Sequence, residues 1–413
     1  MSLPEPEATS GRSTDLFAKC QSYQEWFDEK ISQIGFYPYF AAIQQIRGTT
    51  AVIDDQEFLM IGSNNYLGLS WDPRVQDAAI AAVKRYGTSC SGSRYLNGTL
   101  TLHEELEEEL ADFVGKESAL CFTTGYQTNL ASISALLGKG DHVFSDRLNH
   151  ASVMDGIFHA SGARLGSIQV HRYAHNSPDD LDRALSSAPE SAGKLVVTDG
   201  VFSMEGDIAR LDEISQVAQR HRARVYLDEA HAIGVIGRTG RGTEEHFGKR
   251  LADLVMCTFS KSFGSIGGFV AGDTYIVNYI KHHGRAMIFS ASMPPASIAA
   301  ASAALKIMRQ EPELVLRLQK IAKRMIAEYK TLGFNVDVAE TPIVPLIIGD
   351  DHLTFQFWKE LFQNGIYANP VVSPGVPPGK ALIRTSYMAI HTDAEMDRVL
   401  EIMSKVGRRL GII

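Results

Sequence analysis

One lysine of the chain stands in a setting that suits covalent chemistry. Lys261 lies among small hydroxylated residues and glycines in the stretch Cys257–Gly268, and this stretch grows out of the apolar run Leu254–Cys257. Hydroxyl groups there could hold a phosphate, and glycines let a backbone come close to a ligand. A lysine amine beside a phosphate site is what a pyridoxal-phosphate (PLP) enzyme needs for its Schiff base. Taken alone, the segment fits equally well a strand-to-turn corner with an incidental lysine.

A second polar segment carries an acid and a histidine. Asp228 comes directly after the apolar run Val225–Leu227, and α/β proteins bind their ligands at the carboxyl ends of such strands. Its carboxylate could pair with a protonated pyridine nitrogen and keep the ring an electron sink, while His231 could reach the phenolic oxygen. The Asp-x-x-His spacing by itself also fits a solvated strand end.

Three more loops follow short apolar runs and bear suitable side chains. Gly125 and Tyr126 open a helix, where free N–H groups attract anions, although a plain strand-to-helix turn has the same pattern. His150 could stack on an aromatic cofactor, although an isolated histidine more often packs or caps a helix. Ser203 could donate a hydrogen bond. Five such loops in one chain indicate a shared site.

These loops need a sheet that brings them together. Between about Pro73 and Gln310, helical patterns alternate with short apolar runs of the kind that is buried on both faces, which predicts a mostly parallel sheet covered by helices. The runs predicted as strands are Ala119–Phe122, His142–Ser145, Gly166–Gln169, Leu195–Thr198, Val225–Leu227, Leu254–Cys257 and Gly268–Ala271.

The pattern divides the chain into four parts. Residues 1–13 contain little to bury and are predicted to be a disordered tail, and residues 14–72 form a helix and a hairpin around Asp54 and Asp55. Residues 73–310 form the large α/β domain, and residues 311–413 form a smaller α+β domain. Its predicted elements are helix Leu314–Leu332, strands Phe334–Val338 and Ile343–Ile348, helix Leu353–Asn364, strands Ile366–Ala368 and Ala381–Ser386, and helix Ala394–Leu410.

Bulk composition excludes several classes of protein. With 413 residues, 45% of them hydrophobic and 21% charged, the chain has material for more than one core. A net charge of −8 argues against nucleic-acid binding through phosphate neutralisation. Four cysteines without a C-x-x-C pair exclude a zinc ribbon and suit a reducing cytosol. With no secretion signal and no apolar run of membrane-spanning length, we expect a cytoplasmic protein, with peripheral contact to the inner membrane left open.

From about Gly35 to the C-terminus, the chain resembles the α-oxoamine synthases, a family of fold-type-I PLP enzymes. The family condenses an amino acid with an acyl-CoA thioester and releases carbon dioxide. The resemblance implies an aspartate-aminotransferase-like large domain with a mostly parallel sheet and a smaller C-terminal α+β domain. It also implies a homodimer with its active sites at the subunit interface.

The family's catalytic roles carry over onto matching motifs. Lys261 would form the Schiff base and remove the α-proton of the amino acid, and Asp228 would pair with the pyridinium nitrogen. His231 and Ser203 would contact the ring oxygen. His150 would stack on the ring face and orient the substrate.

Other matching positions would bind the cofactor and the substrate, and no metal is implied. The residues that would hold the cofactor are Gly125, Tyr126, Thr258 and Ser260. Ser290 would reach the phosphate of the neighbouring subunit's cofactor. Arg384 and Asn64 would bind the substrate carboxylate, which a guanidinium suits well.

Within the family, the pattern is similar to the bacterial serine palmitoyltransferase subgroup. The segments that carry this similarity are Gly35–Phe40, Gly92–Thr99, Thr258–Gly264 and Phe289–Pro295. The 2-amino-3-ketobutyrate CoA ligases and 8-amino-7-oxononanoate synthases more often have Leu-Gly-Lys around the lysine, where this chain has Phe259-Ser260-Lys261. The loop Val371–Gly379 is a candidate for acyl specificity, while Ser63–Leu69 is as close to the ligases. The implied reaction joins L-serine to palmitoyl-CoA and gives 3-oxosphinganine, the first step of sphingolipid synthesis.

Other classes of function remain as alternatives. A fold-type-I aminotransferase or lyase would use Lys261 and Asp228 as well, but would exchange keto acids without releasing CoA. An inactive regulatory subunit would require loss of the lysine, which is present. A nucleotide-binding protein lacks support because the chain has no G-x-x-x-x-G-K-[ST] sequence. The sequence leaves open the acyl chain length, the acyl carrier (CoA or acyl carrier protein) and the choice among serine, glycine and alanine.

Overall fold

Helices and strands alternate along the chain in a computed structural model that describes residues 15–163 and 167–413. The helices are α1 Ala18–Ile34, α2 Pro73–Tyr86, α3 Thr101–Phe113, α4 Gly125–Leu136, α5 Ala151–Ala163, α6 Pro178–Ser186, α7 Leu211–Arg220, α8 Thr243–Phe247, α9 Thr274–His283, α10 Arg285–Ile288, α11 Pro295–Gln310, α12 Glu313–Leu332, α13 Asp351–Gln363 and α14 Asp393–Arg409. The strands are β1 Gln45–Arg47, β2 Thr50–Ile53, β3 Gln56–Met60, β4 Ser118–Phe122, β5 His142–Asp146, β6 Gln169–Tyr173, β7 Lys194–Asp199, β8 Arg224–Asp228, β9 Leu254–Thr258, β10 Gly268–Gly272, β11 Ile343–Gly349, β12 Ile366–Tyr367, β13 Asn369–Val371 and β14 Ala381–Ser386. The predicted tail, residues 1–13, lies outside the described residues.

A seven-stranded sheet in the order β4-β10-β9-β8-β7-β5-β6 forms the centre of the molecule. Strands β9, β8, β7, β5 and β6 are parallel, and β10 runs antiparallel to its neighbours β4 and β9. The prediction of a mostly parallel sheet is therefore confirmed. The loops after β5, β7, β8 and β9 leave from the same edge, because the carboxyl ends of parallel strands lie together.

Helices cover both faces of this sheet. Alternate residues of β9 enter different cores: Cys257 packs with residues of α2, α3 and α11, and Met256 packs with residues of α4, α5 and α9. A strand buried on both faces reads as a continuous apolar run, which is why the run in the sequence identified β9. Because both faces of β9 are buried, its polar groups can meet solvent or a ligand only at the end of the strand.

Capping residues determine where two of the helices begin. The hydroxyl of Thr124 accepts a hydrogen bond from the N–H of Gln127 at 3.1 Å and begins α4. Thr392 and Glu395 form a reciprocal capping box at the start of α14. Such caps contribute about 1 kcal/mol each. The cap at Thr124 also directs the amino end of α4 toward the sheet edge where the loops gather.

The C-terminal part builds a three-stranded antiparallel sheet, β11-β14-β13. The N-terminal hairpin joins this unit through a parallel pairing of β3 with β12, and Leu59 lies in one core with Leu346 and Phe357. The hairpin turn has the expected place: Asp54 and Asp55 have φ of 49° and 60°, the left-handed pair that a two-residue hairpin turn favours.

Two strand predictions are wrong. Of the run Gly166–Gln169, only Gln169 is in a strand among the described residues, because β6 begins there, and Gly166 lies outside the described residues. Because β6 is an edge strand and largely exposed, three of its five residues are polar and its sequence lacks a continuous apolar run. Phe334–Val338 is an irregular segment, in which Asp337 has a φ of 49° that breaks extended structure.

A histidine joins two of the loops at the sheet edge. His175 lies with Nδ1 3.1 Å from an oxygen of Asp146, at the end of β5, and with Nε2 3.2 Å from an oxygen of Asp207, in the loop after β7. Two carboxylate partners require a hydrogen on both ring nitrogens. Burial opposes the charge, but the hydrogen bonds to the two aspartates outweigh it and raise the pKa of His175 to about 10.

We expect His175→Gln to lower the free energy of unfolding by about 1.5–3 kcal/mol, the usual contribution of hydrogen bonds to a charged group. The folded-state pKa lies above the unfolded value, so the contribution is complete below about pH 6.5 and disappears as the pH rises through about 10. Urea unfolding at several pH values measures the difference. The control is His159→Gln, an exposed histidine of α5. A difference that stays constant up to pH 10.5 would contradict the bridge.

Candidate active site

The loops at the carboxyl edge of the large sheet enclose a cavity of about 300 Å³, here called the inner cavity. Eight of the residues predicted for the site line it: Gly125, Tyr126, His150, Asp228, His231, Thr258, Ser260 and Lys261. They come from α4, from the loop after β5 and from the ends of β8 and β9. The structure thus brings together residues as far apart in sequence as Gly125 and Lys261.

Asp228 ends β8 with a fully hydrogen-bonded carboxylate. Its Oδ2 accepts from Nδ2 of Asn129 at 2.7 Å, and its Oδ1 accepts from the N–H of Ala230 at 2.9 Å. The side chain is buried. These bonds hold a negative charge in a fixed orientation at the cavity wall, where it suits a cationic ring nitrogen.

The amine of Lys261 shares this cavity. Burial lowers the pKa of Lys261 to about 8, although the nearby carboxylate of Asp228 acts in the opposite direction. About a tenth of the amine is therefore uncharged at pH 7, and the fraction increases steeply above it. An uncharged amine is the form that attacks a carbonyl carbon and accepts a proton.

The opposite end of the inner cavity suits a phosphate. Gly125 begins α4, and a Cβ at this position would lie 2.6 Å from the Cβ of Thr258, so only glycine allows the helix to approach so closely. The hydroxyls of Thr258 and Ser260 are 2.9 Å apart beside the same helix end. The first N–H groups of a helix have no intrahelical partner and attract anions. Tyr126 lines the cavity and hydrogen-bonds Asp155.

The two histidines of the inner cavity each have a hydrogen-bond partner, Tyr66 for His231 and Ser152 for His150. Tyr66 Oη lies 2.6 Å from Nδ1 of His231. Burial, with the charges of Lys261 and Arg384, holds the pKa of His231 well below its usual value, so that the ring is neutral. His150 opens to both the inner cavity and its larger neighbour, and burial likewise lowers its pKa.

A second cavity of about 900 Å³, here called the outer cavity, continues from Lys261, His150 and His231. Arg384 and Asn64 line it. The guanidinium of Arg384 donates to the carbonyl of Ser203 at 2.6 Å and to Oδ1 of Asn64 at 3.1 Å.

Arg384 is only 5% exposed, and within residues 15–163 and 167–413 it forms no ion pair with a carboxylate. A buried cation without an anion is costly, and a bound carboxylate would balance it. A bound anion would therefore be favoured in the outer cavity beside Arg384.

The far wall of the outer cavity is aromatic and aliphatic. It contains Tyr23, Tyr37, Tyr39 and Phe40 from the N-terminal part and Val371–Pro374 from the C-terminal part. The outer cavity is amphipathic, because its lining combines these apolar side chains with a buried guanidinium. It would suit a ligand with a polar reactive end and an apolar tail.

A protein-family model, aminotransferase class I and II, matches residues 56–403, which include all the loops of both cavities except the N-terminal aromatic wall. The chain belongs to this family. A serine palmitoyltransferase from Sphingobacterium spiritivorum is 46% identical over 93% of this chain and 95% of its own length. An 8-amino-7-oxononanoate synthase from Thermoanaerobacter pseudethanolicus is 39% identical over 93% of this chain and 96% of its own length.

Solved structures give the same result. A serine palmitoyltransferase from S. paucimobilis with a bound PLP–myriocin aldimine superposes with a TM-score of 0.92 at 36% identity, and the match covers 97% of this chain and all of that one. The predictions of a fold-type-I PLP enzyme and of an α-oxoamine synthase, an acyltransferase, are confirmed.

The residues of this aminotransferase-family site fit PLP. The end of α4 suits its phosphate, Asp228 its ring nitrogen and Lys261 its aldehyde. A buried oxygen of Asp199, which lines the same cavity, has no hydrogen-bond partner among the described residues, as expected of a site shaped for a polar ligand. Both the family match and the solved relative support PLP, so the predicted cofactor is confirmed.

Two more of the predicted residues lie outside the lining of the inner cavity. Ser203 lines the outer cavity, where its carbonyl accepts a hydrogen bond from Arg384, and its contact with the ring oxygen stays a prediction. Ser290 belongs to the described lining of neither cavity.

In the described part of the chain, the helices are all too short or too polar to cross a membrane.

The sequence analysis missed several residues of the site. Asn129 and Ser152, buried residues of helices α4 and α5, line the inner cavity, and Tyr66 lies behind His231. Tyr66 lies in the segment Ser63–Leu69, and the family resemblance of this segment is the only sequence signal that points to it. Asn129 and Ser152 follow the Gly125 and His150 motifs by two to four residues, and a helical reading would have placed them behind those motifs.

Proposed function

We propose that the chain catalyses the decarboxylative condensation of L-serine with a long-chain acyl-CoA such as palmitoyl-CoA, giving 3-oxosphinganine, CoA and carbon dioxide. The observation that carries this proposal is the outer cavity, which leads from Lys261 and the unpaired guanidinium of Arg384 to an aromatic wall. A small amino acid with its carboxylate fits the first end, and a fatty acyl chain fits the second. The similarity to proteins named serine palmitoyltransferase supports the same choice.

The polar end of the outer cavity would bind the amino acid. Arg384 and Asn64 hold its carboxylate, and His150 limits its rotation about the Cα bonds. The Cα–H bond then points toward Lys261, whose lowered pKa makes its uncharged, proton-accepting form accessible near neutral pH. Bound PLP supplies the electron sink for the pair left on Cα.

The bond changes balance without any further reagent. Lys261 takes the Cα proton, and Cα bonds to the thioester carbonyl carbon while the C–S bond breaks and CoA leaves as a thiolate. The bond from Cα to the carboxylate then breaks and releases carbon dioxide. The proton returns from Lys261 to Cα. Asp228 keeps its charge throughout and stabilises the cationic ring nitrogen.

The active unit in this proposal is a homodimer. Phe289, next to Ser290, is 74% exposed, and Tyr95 and Leu96 are also exposed large apolar residues. Packing against a second copy would bury such residues. It would also give Ser290 a phosphate to contact in the partner's site, since it lines neither cavity of its own chain.

The substrate choice can be measured by CoA release with serine, alanine and glycine, each combined with acyl-CoAs of graded length. We expect serine with a long-chain acyl-CoA to be the best pair, by on the order of tenfold or more over glycine, because a site that hydrogen-bonds a hydroxyl discriminates against its absence. Palmitoyl-CoA should also be a better substrate than acetyl-CoA, because only the palmitoyl chain reaches the aromatic wall.

Three other results would move the assignment. A preference for glycine with acetyl-CoA would indicate a 2-amino-3-ketobutyrate CoA ligase. A preference for alanine with a dicarboxylic acyl thioester would indicate an 8-amino-7-oxononanoate synthase, which the 39% identical relative keeps as the second candidate. Keto-acid exchange without CoA release would indicate an aminotransferase.

A further inference from the structure

A buried chain of hydrogen bonds joins Asp228 to His150. Nδ2 of Asn129 donates to Oδ2 of Asp228 at 2.7 Å and to Oγ of Ser152 at 2.9 Å. Oγ of Ser152 lies 2.8 Å from Nδ1 of His150. Asn129 and Ser152 are each 1% exposed. The group at one end of the cofactor ring and the group above its face therefore belong to one network.

The chemistry of each partner fixes the direction of these hydrogen bonds. A carboxylate only accepts, so the amide nitrogen of Asn129 must face Asp228, and its Oδ1 accepts the hydroxyl hydrogen of Tyr226 at 2.9 Å. Because Oγ of Ser152 accepts from Asn129, its own hydrogen remains for Nδ1 of His150. Every donor and acceptor of the Asn129 amide is then in use.

A backbone N–H determines which tautomer of the His150 imidazole is present. The N–H of Ser152 also points at Nδ1 of His150, at 3.2 Å, and an N–H can only donate. Nδ1 thus accepts two hydrogen bonds and has no room for a hydrogen of its own. Burial lowers the pKa of His150, so the ring is neutral. A neutral ring with a bare Nδ1 carries its hydrogen on Nε2.

We propose that Asn129 and Ser152 are positioning residues that hold His150 as the Nε2–H tautomer and fix its ring relative to Asp228, so that a hydrogen-bond donor faces the amino-acid carboxylate in the outer cavity. The opposite tautomer would present a lone pair to that carboxylate and weaken its binding. The proposal rests on the proposed function for the identity of the amino acid, but the tautomer itself does not depend on it.

The first test is the affinity for serine. Ser152→Ala removes one of the two donors to His150 and cuts its link to Asn129. We expect the Kd of serine, from titration of the PLP absorption of the holoenzyme, and the KM for serine to rise roughly tenfold to a hundredfold, as for other residues that orient a functional histidine. kcat should fall by less, because Lys261 and Asp228 stay in place. The control is Ser186→Ala, an exposed serine of α6 whose hydroxyl donates to the carbonyl of Asp182 in its own helix.

The second test reads the tautomer directly. In the PLP-loaded protein labelled with ¹⁵N-histidine, His150 is one of 13 histidines, and its signals are those lost in His150→Asn. We expect the Nε2–H form in the wild type and a detectable Nδ1–H fraction in Ser152→Ala. An Nδ1–H ring in the wild type overturns the proposal. So does a Ser152→Ala variant with an unchanged ring or an unchanged serine affinity.

The two hypotheses fail separately. If the wild-type enzyme prefers another amino acid but His150 is Nε2–H and responds to Ser152→Ala, only the substrate assignment falls, and the affinity test is repeated with the preferred amino acid. If serine is the substrate but the tautomer is wrong, only the positioning role falls.

Discussion

Lys261→Ala is expected to abolish covalent attachment of PLP and to reduce CoA release by roughly 10³-fold or more, because in the proposed reaction the side chain both attaches PLP and carries the proton. Borohydride should fix PLP to the wild type but not to the variant. The end of α4, Thr258 and Asp228 are unchanged, so the variant should still bind PLP without a covalent bond. A matched control is Lys323→Ala, an exposed lysine of α12.

The same lysine gives a pH dependence. The pKa of Lys261 is lowered to about 8, so the uncharged amine increases as the pH rises through this value. The rate at which the wild-type apoprotein attaches PLP should therefore increase between about pH 7 and pH 9 and then level off. Stopped-flow absorption measures this rate. A flat profile, or PLP fixed by borohydride to Lys261→Ala, would remove Lys261 from its proposed role.

The second large effect is expected from Asp228→Asn, which keeps the shape of the side chain and removes its charge. Without the carboxylate, the ring nitrogen of PLP is no longer held protonated, and kcat should fall roughly 10²- to 10³-fold, the size seen when a preorganised electrostatic contact to the reacting system is removed. The variant's amide has one oxygen where the carboxylate has two, so the hydrogen bond from either Asn129 or the N–H of Ala230 is left unmade.

The matched control for Asp228→Asn is Asp253→Asn. Asp253 lies before β9, at the opposite edge of the same sheet, and forms a surface ion pair with Arg224. Removing that charge should change stability by less than about 1 kcal/mol and leave kcat unchanged. Activity of Asp228→Asn within a few-fold of the wild type would show that Asp228 does not face the ring nitrogen.

Much of the fold and the positions of the main site residues could be predicted because they depend on local rules. A strand buried on both faces has a recognisable apolar run, and parallel strands end at one edge, so residues such as His150, Asp228 and Lys261 were expected to meet. They do meet in one cavity. Their roles toward cofactor and substrate remain predictions, which the experiments above test.

The rest depends on contacts that no local pattern carries. Asn129 reads as an ordinary polar residue of α4, and only the packing of α4 against β8 brings it to Asp228. The exposed edge strand β6 lost its apolar signal because one side of it faces solvent. The aromatic wall at Tyr37 and Tyr39 could not be foreseen, because it requires the N-terminal part to lie beside Val371–Pro374.

The pairing of β3 with β12 has a consequence for synthesis on the ribosome. Asn369 donates a hydrogen bond to the carbonyl of Gly62 across 307 residues of sequence, so the hairpin cannot complete its sheet until nearly the whole chain has been made. At typical elongation rates this delay is about 15 to 60 s. Throughout that time Phe58 and Leu59, buried in the finished protein, have no partner surface to cover them. The first strands to emerge are among the last to be covered, and the nascent chain is most exposed to misassembly at its N-terminal end.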